Sequence, residues 1–161
     1  MIDIVKYNSY FKNIAEQHKG ITGFLKLSTK DLGEAQTAIR DSNFPAESNI
    51  LVLENFEIKQ KAANHDQVAD IATGLFSVFQ VFNPRGKYDL EVIAAETLQI
   101  CRQIEARMRR DQCDYSNYDL LSGSFEFEPC HAPLLNMFGW RVFFDFATHN
   151  NTEYDYNIWN E

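Results

Sequence analysis

The spacing of hydrophobic positions changes several times along the chain, and each change predicts an element. Ile4, Tyr7, Phe11, Ile14 and His18 recur at alternating steps of three and four, which places them on one face of an N-terminal helix. Gly20 follows as a helix stop, because glycine enters the left-handed conformation without strain. The short apolar run Gly23-Phe24-Leu25-Lys26-Leu27 reads as a strand. Thr29 is placed to cap a second helix through Leu32, Ala35 and Ile39, although Gly33 weakens it, and Asn43-Phe44-Pro45 ends it.

Residues 49–60 carry Ile50, Val52, Phe56 and Ile58 on one face, with Leu51 and Leu53 on the other, as a central strand would. The polar stretch 61–68 reads as a loop. Residues 69–82 form a long strand in which Ile71, Leu75, Phe79 and Val81 alternate with Phe76, Val78 and Phe82. Asn83-Pro84-Arg85-Gly86 is a turn signal. A long helix is predicted over about 88–112, with Leu90, Ile93, Thr97, Cys101, Ile104 and Met108 along its stripe and Ala94 and Ile100 widening it. Leu120 to Glu128 reads as a strand, 129–137 as a connection, and the last strand sets Trp140, Val142, Phe144 and Phe146 against Arg141, Phe143 and Asp145. The expected fold class is α+β: a mostly antiparallel sheet with a long hairpin, packed by the N-terminal helix and the long helix. Residues 1–147 form a single domain, and 148–161 an aromatic, acidic tail. The expected core includes Phe11, Ile14, Val52, Phe79, Ile93, Ile104, Phe127, Trp140 and Phe144.

Composition narrows the classes. The chain has 161 residues, 15 Lys and Arg against 23 Asp and Glu, and a net charge of -8. That balance disfavours non-specific nucleic-acid binding, which needs cations to displace counterions from phosphates. With 14% aromatic residues, the bulk of the chain is not disordered. No apolar stretch is long enough for a membrane helix. Met1-Ile2-Asp3-Ile4-Val5-Lys6 lacks the features of a signal peptide, so synthesis and residence in the cytoplasm of the producing cell are expected. Cys101, Cys113 and Cys130 offer neither a disulfide framework nor a zinc ribbon. Asn150-Asn151-Thr152 matches the glycosylation pattern only by chance, since no secretory signal accompanies it.

Candidate chemistry is sparse. The chain lacks the nucleophile elbow, the phosphate-binding loop, the dinucleotide fingerprint and the zinc-protease motif. Cys130-His131 pairs a nucleophile with a base, but neighbours on an extended chain point to opposite sides, and the pair sits in an expected proline-flanked loop. The histidines have no i,i+4 partner for a metal, so no catalytic residue, metal or cofactor is expected. Arg102, Arg107, Arg109 and Arg110 lie on or just past the long helix, the last three at its C-terminal end, with Arg85 and Lys87 before it and Glu96, Glu105 and Asp111 interspersed, while the tail from His149 has neither Lys nor Arg but carries Tyr154, Tyr156, Ile158 and Trp159. His65, Asp66, Arg107, Arg109, Arg110, Tyr154, Tyr156 and Trp159 are therefore the expected interface residues. A basic helix end and an acidic tail would suit head-to-tail contact between copies.

The order of elements, the Phe125-Glu126-Phe127-Glu128 strand, the proline-containing connection and Phe138-Gly139-Trp140-Arg141-Val142-Phe143-Phe144 resemble the neck and tail-completion proteins of tailed phages over about residues 1–147. The 29–48 segment and the aromatic tail have no counterpart in that resemblance. It implies a non-enzymatic structural subunit of a phage or prophage tail, such as a tail terminator. It further implies a homo-oligomeric ring, often hexameric, which contacts tail-tube or neck proteins, has DNA passing through its lumen, and resides in the virion after synthesis in the bacterial cytoplasm. Two other readings are an α+β ligand-binding or hydrolytic domain with a Phe-lined pocket, and a nucleic-acid-binding accessory protein using the Arg-bearing helix.

Overall fold

The computed structural model describes residues 4–27, 32–64, 67–114, 119–120 and 124–150, with the backbone alone for 32–35, 60–64, 67–70, 112–114, 119–120 and 148–150. The elements run α1 (Ile4–Gln17), β1 (Gly23–Lys26), α2 (Leu32–Ser42), β2 (Asn49–Leu53), β3 (Glu57–Asn64), β4 (Gln67–Val81), α3 (Leu90–Asp114), β5 (Asp119–Leu120), β6 (Glu126–Ala132), a 3-10 turn (Pro133–Leu135) and β7 (Met137–Asn150). The fold is α+β, as the hydrophobic pattern implies.

One sheet holds all seven strands. Its centre is the antiparallel pair β4–β7, in register from Val68↔Asn150 to Val81↔Met137. The outer edge of β4 is shared by β2, opposite Phe76 to Gln80, and β3, opposite Gln67 to Thr73. The outer edge of β7 is shared by β5 and β6. The only parallel pair among the described residues is β1–β2.

The two faces of the sheet are covered unequally. On the first face, α1 contributes Tyr7, Phe11, Ile14 and Ala15, and α3 contributes Ile100, Cys101, Ile104 and Met108. They close over Leu51, Leu53, Phe76, Val78, Val142, Phe144 and Phe146. Phe11 and Phe76 are almost fully buried, and each such side chain stabilises the fold by roughly 2–3 kcal/mol. Gly74 leaves room for a core ring, since a Cβ there would lie 2.3 Å from Phe144 Cζ. On the second face a smaller cluster of Leu27, Ile50, Val52, Phe79 and Met137 is joined by Ala38, Ile39 and Phe44 from α2 and its C-terminal turn, at one end of the sheet only. Asp89 caps α3, accepting the Glu91 N–H at 2.9 Å. The turn after β4 is held by the Asn83 carbonyl and side chain, which accept the N–H groups of Gly86 and Arg85.

Several boundaries differ from the sequence reading. Within the expected loop 61–68, residues 61–64 continue β3 to Asn64 and β4 begins at Gln67, while 65 and 66 lie outside the described residues. Residues 49–60 are two strands, broken at Glu54-Asn55-Phe56; Phe56 turns to the first face and Ile58 is 51% exposed. The expected strand 120–128 is two, and β6 runs through Pro129 to Ala132, where a connection was expected. An edge strand tolerates this proline because a missing N–H costs nothing on the unpaired side. β7 extends past residue 147, so Thr148, His149 and Asn150 belong to the sheet rather than to a tail. Of the expected core, Phe11, Ile14, Val52, Phe79, Ile93, Ile104 and Phe144 are buried, while Phe127 and Trp140 are half-buried against the first cluster.

Candidate assembly surface

The arginines at the end of α3 are organised by two nearly buried carboxylates. Glu105 accepts from Arg102 Nη1 at 2.8 Å and from Arg109 Nε and Nη2 at 3.0 and 2.9 Å. The i,i+3 and i,i+4 spacing of a helix permits both contacts at once. The two guanidinium groups also lie over aromatic rings of the sheet, Arg102 above Phe127 at 3.9 Å and Arg109 above Phe125 at 4.8 Å. These cation–π contacts fasten the helix to β6 and to the residue before it.

One turn on, Asp111 accepts from Arg107 Nε at 2.6 Å, from Arg110 Nε and Nη2 at 3.1 and 2.9 Å, and from the Tyr10 hydroxyl at 3.0 Å. Arg107 also donates to Gln17 Oε1 at 3.1 Å. Burial alone would raise the Asp111 carboxyl, but the hydrogen bonds from Arg107, Arg110 and Tyr10 hold it below the ordinary carboxylate range. Glu105 is held down in the same way by Arg102 and Arg109 against the opposing effect of burial. Burial and the Asp111 charge raise the Tyr10 phenol. Four guanidiniums against Glu105 and Asp111, and Asp114 at the end of the helix, leave this part of α3 with a small positive balance. Arg102 and Arg110 are the most exposed of the four, at 59% and 64%.

The remaining expected interface residues, His65, Asp66, Tyr154, Tyr156 and Trp159, lie outside the described residues. Thus Arg107, Arg109 and Arg110 share one surface, and Arg102 belongs with them. Asp111 is visible in the sequence as the i,i+4 partner of Arg107, whereas its contact with Tyr10 exists only in the folded chain. Glu105 was visible in the sequence as an i,i+3 and i,i+4 partner.

The Cys130-His131 pair lies on β6, not in a loop. Cys130 packs against the second-face cluster, and His131 lies on the other side, its ring 5.6 Å from that of Phe138. The strand therefore directs the two side chains apart, and burial raises the Cys130 thiol. Cys101 is buried in the first cluster and pushed up to about 12 by burial, which makes it a poor nucleophile.

At the other end of α3, His18 bridges two elements. Its Nδ1 accepts the Gly20 N–H at 3.0 Å, so Nε2 carries the proton and donates to Gln103 Oε1 at 2.9 Å. Asn49 Nδ2 donates to the Gly20 carbonyl, and Gln80 Nε2 donates to Asn49 Oδ1 and Glu96 Oε2. His18, Gly20, Asn49, Glu96 and Gln103 line an open surface cleft whose polar groups are largely occupied with one another and with Gln80.

Among the described residues, no group of His, Cys, Asp and Glu is placed to hold a metal ion, and no helix is long and apolar enough to cross a membrane. No protein-family model matches the chain, and no curated protein matches it.

Proposed function

We propose that the protein is a structural assembly subunit of a phage or prophage tail, a ring-forming tail terminator or tail-completion protein at the head–tail junction. The observation that carries this reading is the long β3–β4 hairpin, joined by β7 into a three-stranded arm whose ladder runs on to Asn64, Gln67 and Asn150. Such an arm has no partner of its own among the described elements and suits contact with a neighbouring subunit. The cation–aromatic end of α3 supports the same reading, because arginine and aromatic side chains are favoured at protein interfaces. A net charge of -8 suits a lumen through which DNA slides without adhering. In this reading the protein has no catalytic function, binds copies of itself and the tube or neck proteins, and resides in the virion.

The Phe side chains between helices and sheet pack against one another, as Phe11 does in tilted contacts with Phe76 and Phe144 at 5.6 and 5.8 Å between ring centres, which favours a packed core over a ligand pocket. Electron microscopy of the purified protein, alone and with the tube protein encoded nearest to it, tests the proposal. Rings, or caps on tube ends, are expected. A protein that stays monomeric and never decorates tubes at any concentration refutes it.

A further inference from the structure

Among the described residues, α2 and the 3-10 turn cover the second face of the sheet at one end only, and cross-strand register maps what the rest of it displays. One row runs Val52, Ser77, Arg141 and Glu128; the next sets Leu75 beside Phe143 and Glu126; the next sets Glu57, Thr73 and Asp145 side by side. Half-buried Phe143, packed beside buried Leu75 in the register, thus supplies the apolar centre, with no described helix above it. Charged groups rim that centre. Arg141 is paired with Glu54 at 3.3 Å and lies 5.5 Å from the Phe143 ring, and Asp145 accepts from the Thr73 hydroxyl at 2.6 Å. Glu126 and Glu128 are exposed on the β6 side. Among the residues whose side chains are described, five carboxylates (Glu54, Glu57, Glu126, Glu128, Asp145) stand against Lys59 and Arg141, and with Lys61 added by register the face is still negative. An apolar centre within a charged rim is the anatomy of a protein interface.

The complementary surface is on the same chain but cannot reach this face within one copy. The arginine end of α3 lies over the first face, with Arg102 stacked on Phe127, while the flanking Glu126 and Glu128 project from the opposite side of the same strand. Acid and base stand back to back across β6. We infer that the open sheet face around Leu75 and Phe143 receives the arginine-bearing C-terminal end of α3 from a second copy of this chain, with Arg102 and Arg110 meeting Glu126 and Glu128. The contact is heterologous: each copy uses one surface to give and another to receive, so it propagates to a closed ring or an open filament according to its rotation. It rests on the assembly reading above and gives that reading its subunit contact.

Cross-linking tests it. Arg110→Cys and Glu128→Cys are made separately in full-length chains with Cys113 and Cys130 replaced by Ser, and each variant is checked by near-ultraviolet circular dichroism and melting. A short bis-maleimide is expected to join Arg110→Cys to Glu128→Cys in the mixture and to join neither variant to itself. The cross-link should fade as salt is raised from about 0.05 M to about 0.5 M, because screening weakens exposed charge pairs. It should persist when residues 151–161 are deleted. Loss on deletion assigns the arginines to the tail and overturns the contact, as do cross-links within one variant alone, or none while rings or filaments are visible by microscopy. In that last case the assembly role stands without this contact. Absence of self-association under every condition, with and without tube protein, overturns both. Glu126→Lys with Glu128→Lys gives an independent reading at two solvent-exposed positions: at least a tenfold weaker association by sedimentation is expected, and unchanged association refutes the contact.

Discussion

The carboxylate of Asp111 shows how one side chain links the first helix, the long helix and the protein's response to acid. It is buried to 7% exposure and accepts hydrogen bonds from Tyr10, Arg107 and Arg110. Its folded pKa is depressed, so its stabilising contribution is present above the unfolded carboxylate value of about 3.9 and is lost as pH falls through the folded value. Asp111→Asn is expected to cost about 1–3 kcal/mol at neutral pH, the penalty for weakening a charged, hydrogen-bonded group. Urea unfolding from pH 7 down to pH 2 should show the gap between wild type and variant closing below about pH 4; a gap of constant size contradicts this account. Lys26 acts in the opposite sense. Burial lowers its ammonium to about 8 against the pull of Glu54, so the unfolded chain binds more protons between about pH 8 and pH 10.4. Stability from this group therefore rises with pH across that window, and Lys26→Met should abolish the rise in urea midpoints measured at pH 8 and pH 10. No pattern in the sequence marks either residue as special. Asp111 lies in a run of charged residues and Tyr10 in a helix of mixed composition, and they meet only because two helices share one face of the sheet.

At the scale of elements, the β4–β7 pair is the frame to which everything else is fastened, and two residues of the Phe138-Gly139-Trp140 run show how. Gly139 is pressed against β4: a Cβ there would lie 1.9 Å from the Val78 carbonyl oxygen and 2.9 Å from Phe79 Cα. Backbone atoms cannot yield as a flexible side chain can, so Gly139→Ala must part the central strands. The expected cost is about 3 kcal/mol, or a melting point lower by roughly 10 °C. Gly86→Ala is the control, since its nearest neighbours would be 3.4 Å away; equal melting shifts in the two variants would sink the argument. Trp140 then ties β7 to the helix, its Nε1 donating to the Ala94 carbonyl at 2.9 Å. Trp140→Phe should cost about 1 kcal/mol for the lost hydrogen bond, and Trp140→Ala about 3 kcal/mol, both by chemical denaturation. Helices α1 and α3 were legible because each buries one stripe, from Tyr7 to Ile14 and from Ile93 to Met108, and a stripe imposes a period. The second half of β3 was not, because Lys61-Ala62-Ala63-Asn64 carries no alternation of large apolar and polar residues. The second half of β6 was hidden by Pro129, which signals a break in a central strand but not at an edge. The arginine surface was half legible: helical spacing predicted its clustering, while the rings of Phe125 and Phe127 beneath it are a tertiary fact.

For the whole molecule, the described helices cover the two faces of the sheet unequally: α1 and α3 close one face and α2 one end of the other. The β3–β4–β7 arm carries the ladder on to Asn64, Gln67 and Asn150. The arm's ladder sets where the chain can be cut. Thr148, His149 and Asn150 stand opposite Asp70, Ala69 and Val68, so a chain ending at Ala147 deprives the first residues of β4 of their β7 partners. A chain ending at Asn150 keeps the whole ladder. The two truncations should therefore separate folding from assembly. Ending at Asn150 is expected to leave the melting temperature within about 3 °C of the full chain, since less than about 1 kcal/mol is at stake. Ending at Ala147 should lower it further and raise amide exchange over Gln67–Asp70, because those backbone groups lose partners and open locally. If removing 151–161 instead unfolds the protein, the last residues belong to the core, and the boundary between domain and tail is wrong. If both truncated chains melt alike and exchange alike, the arm gains nothing from its last three pairs, and β7 ends in energetic terms at Ala147.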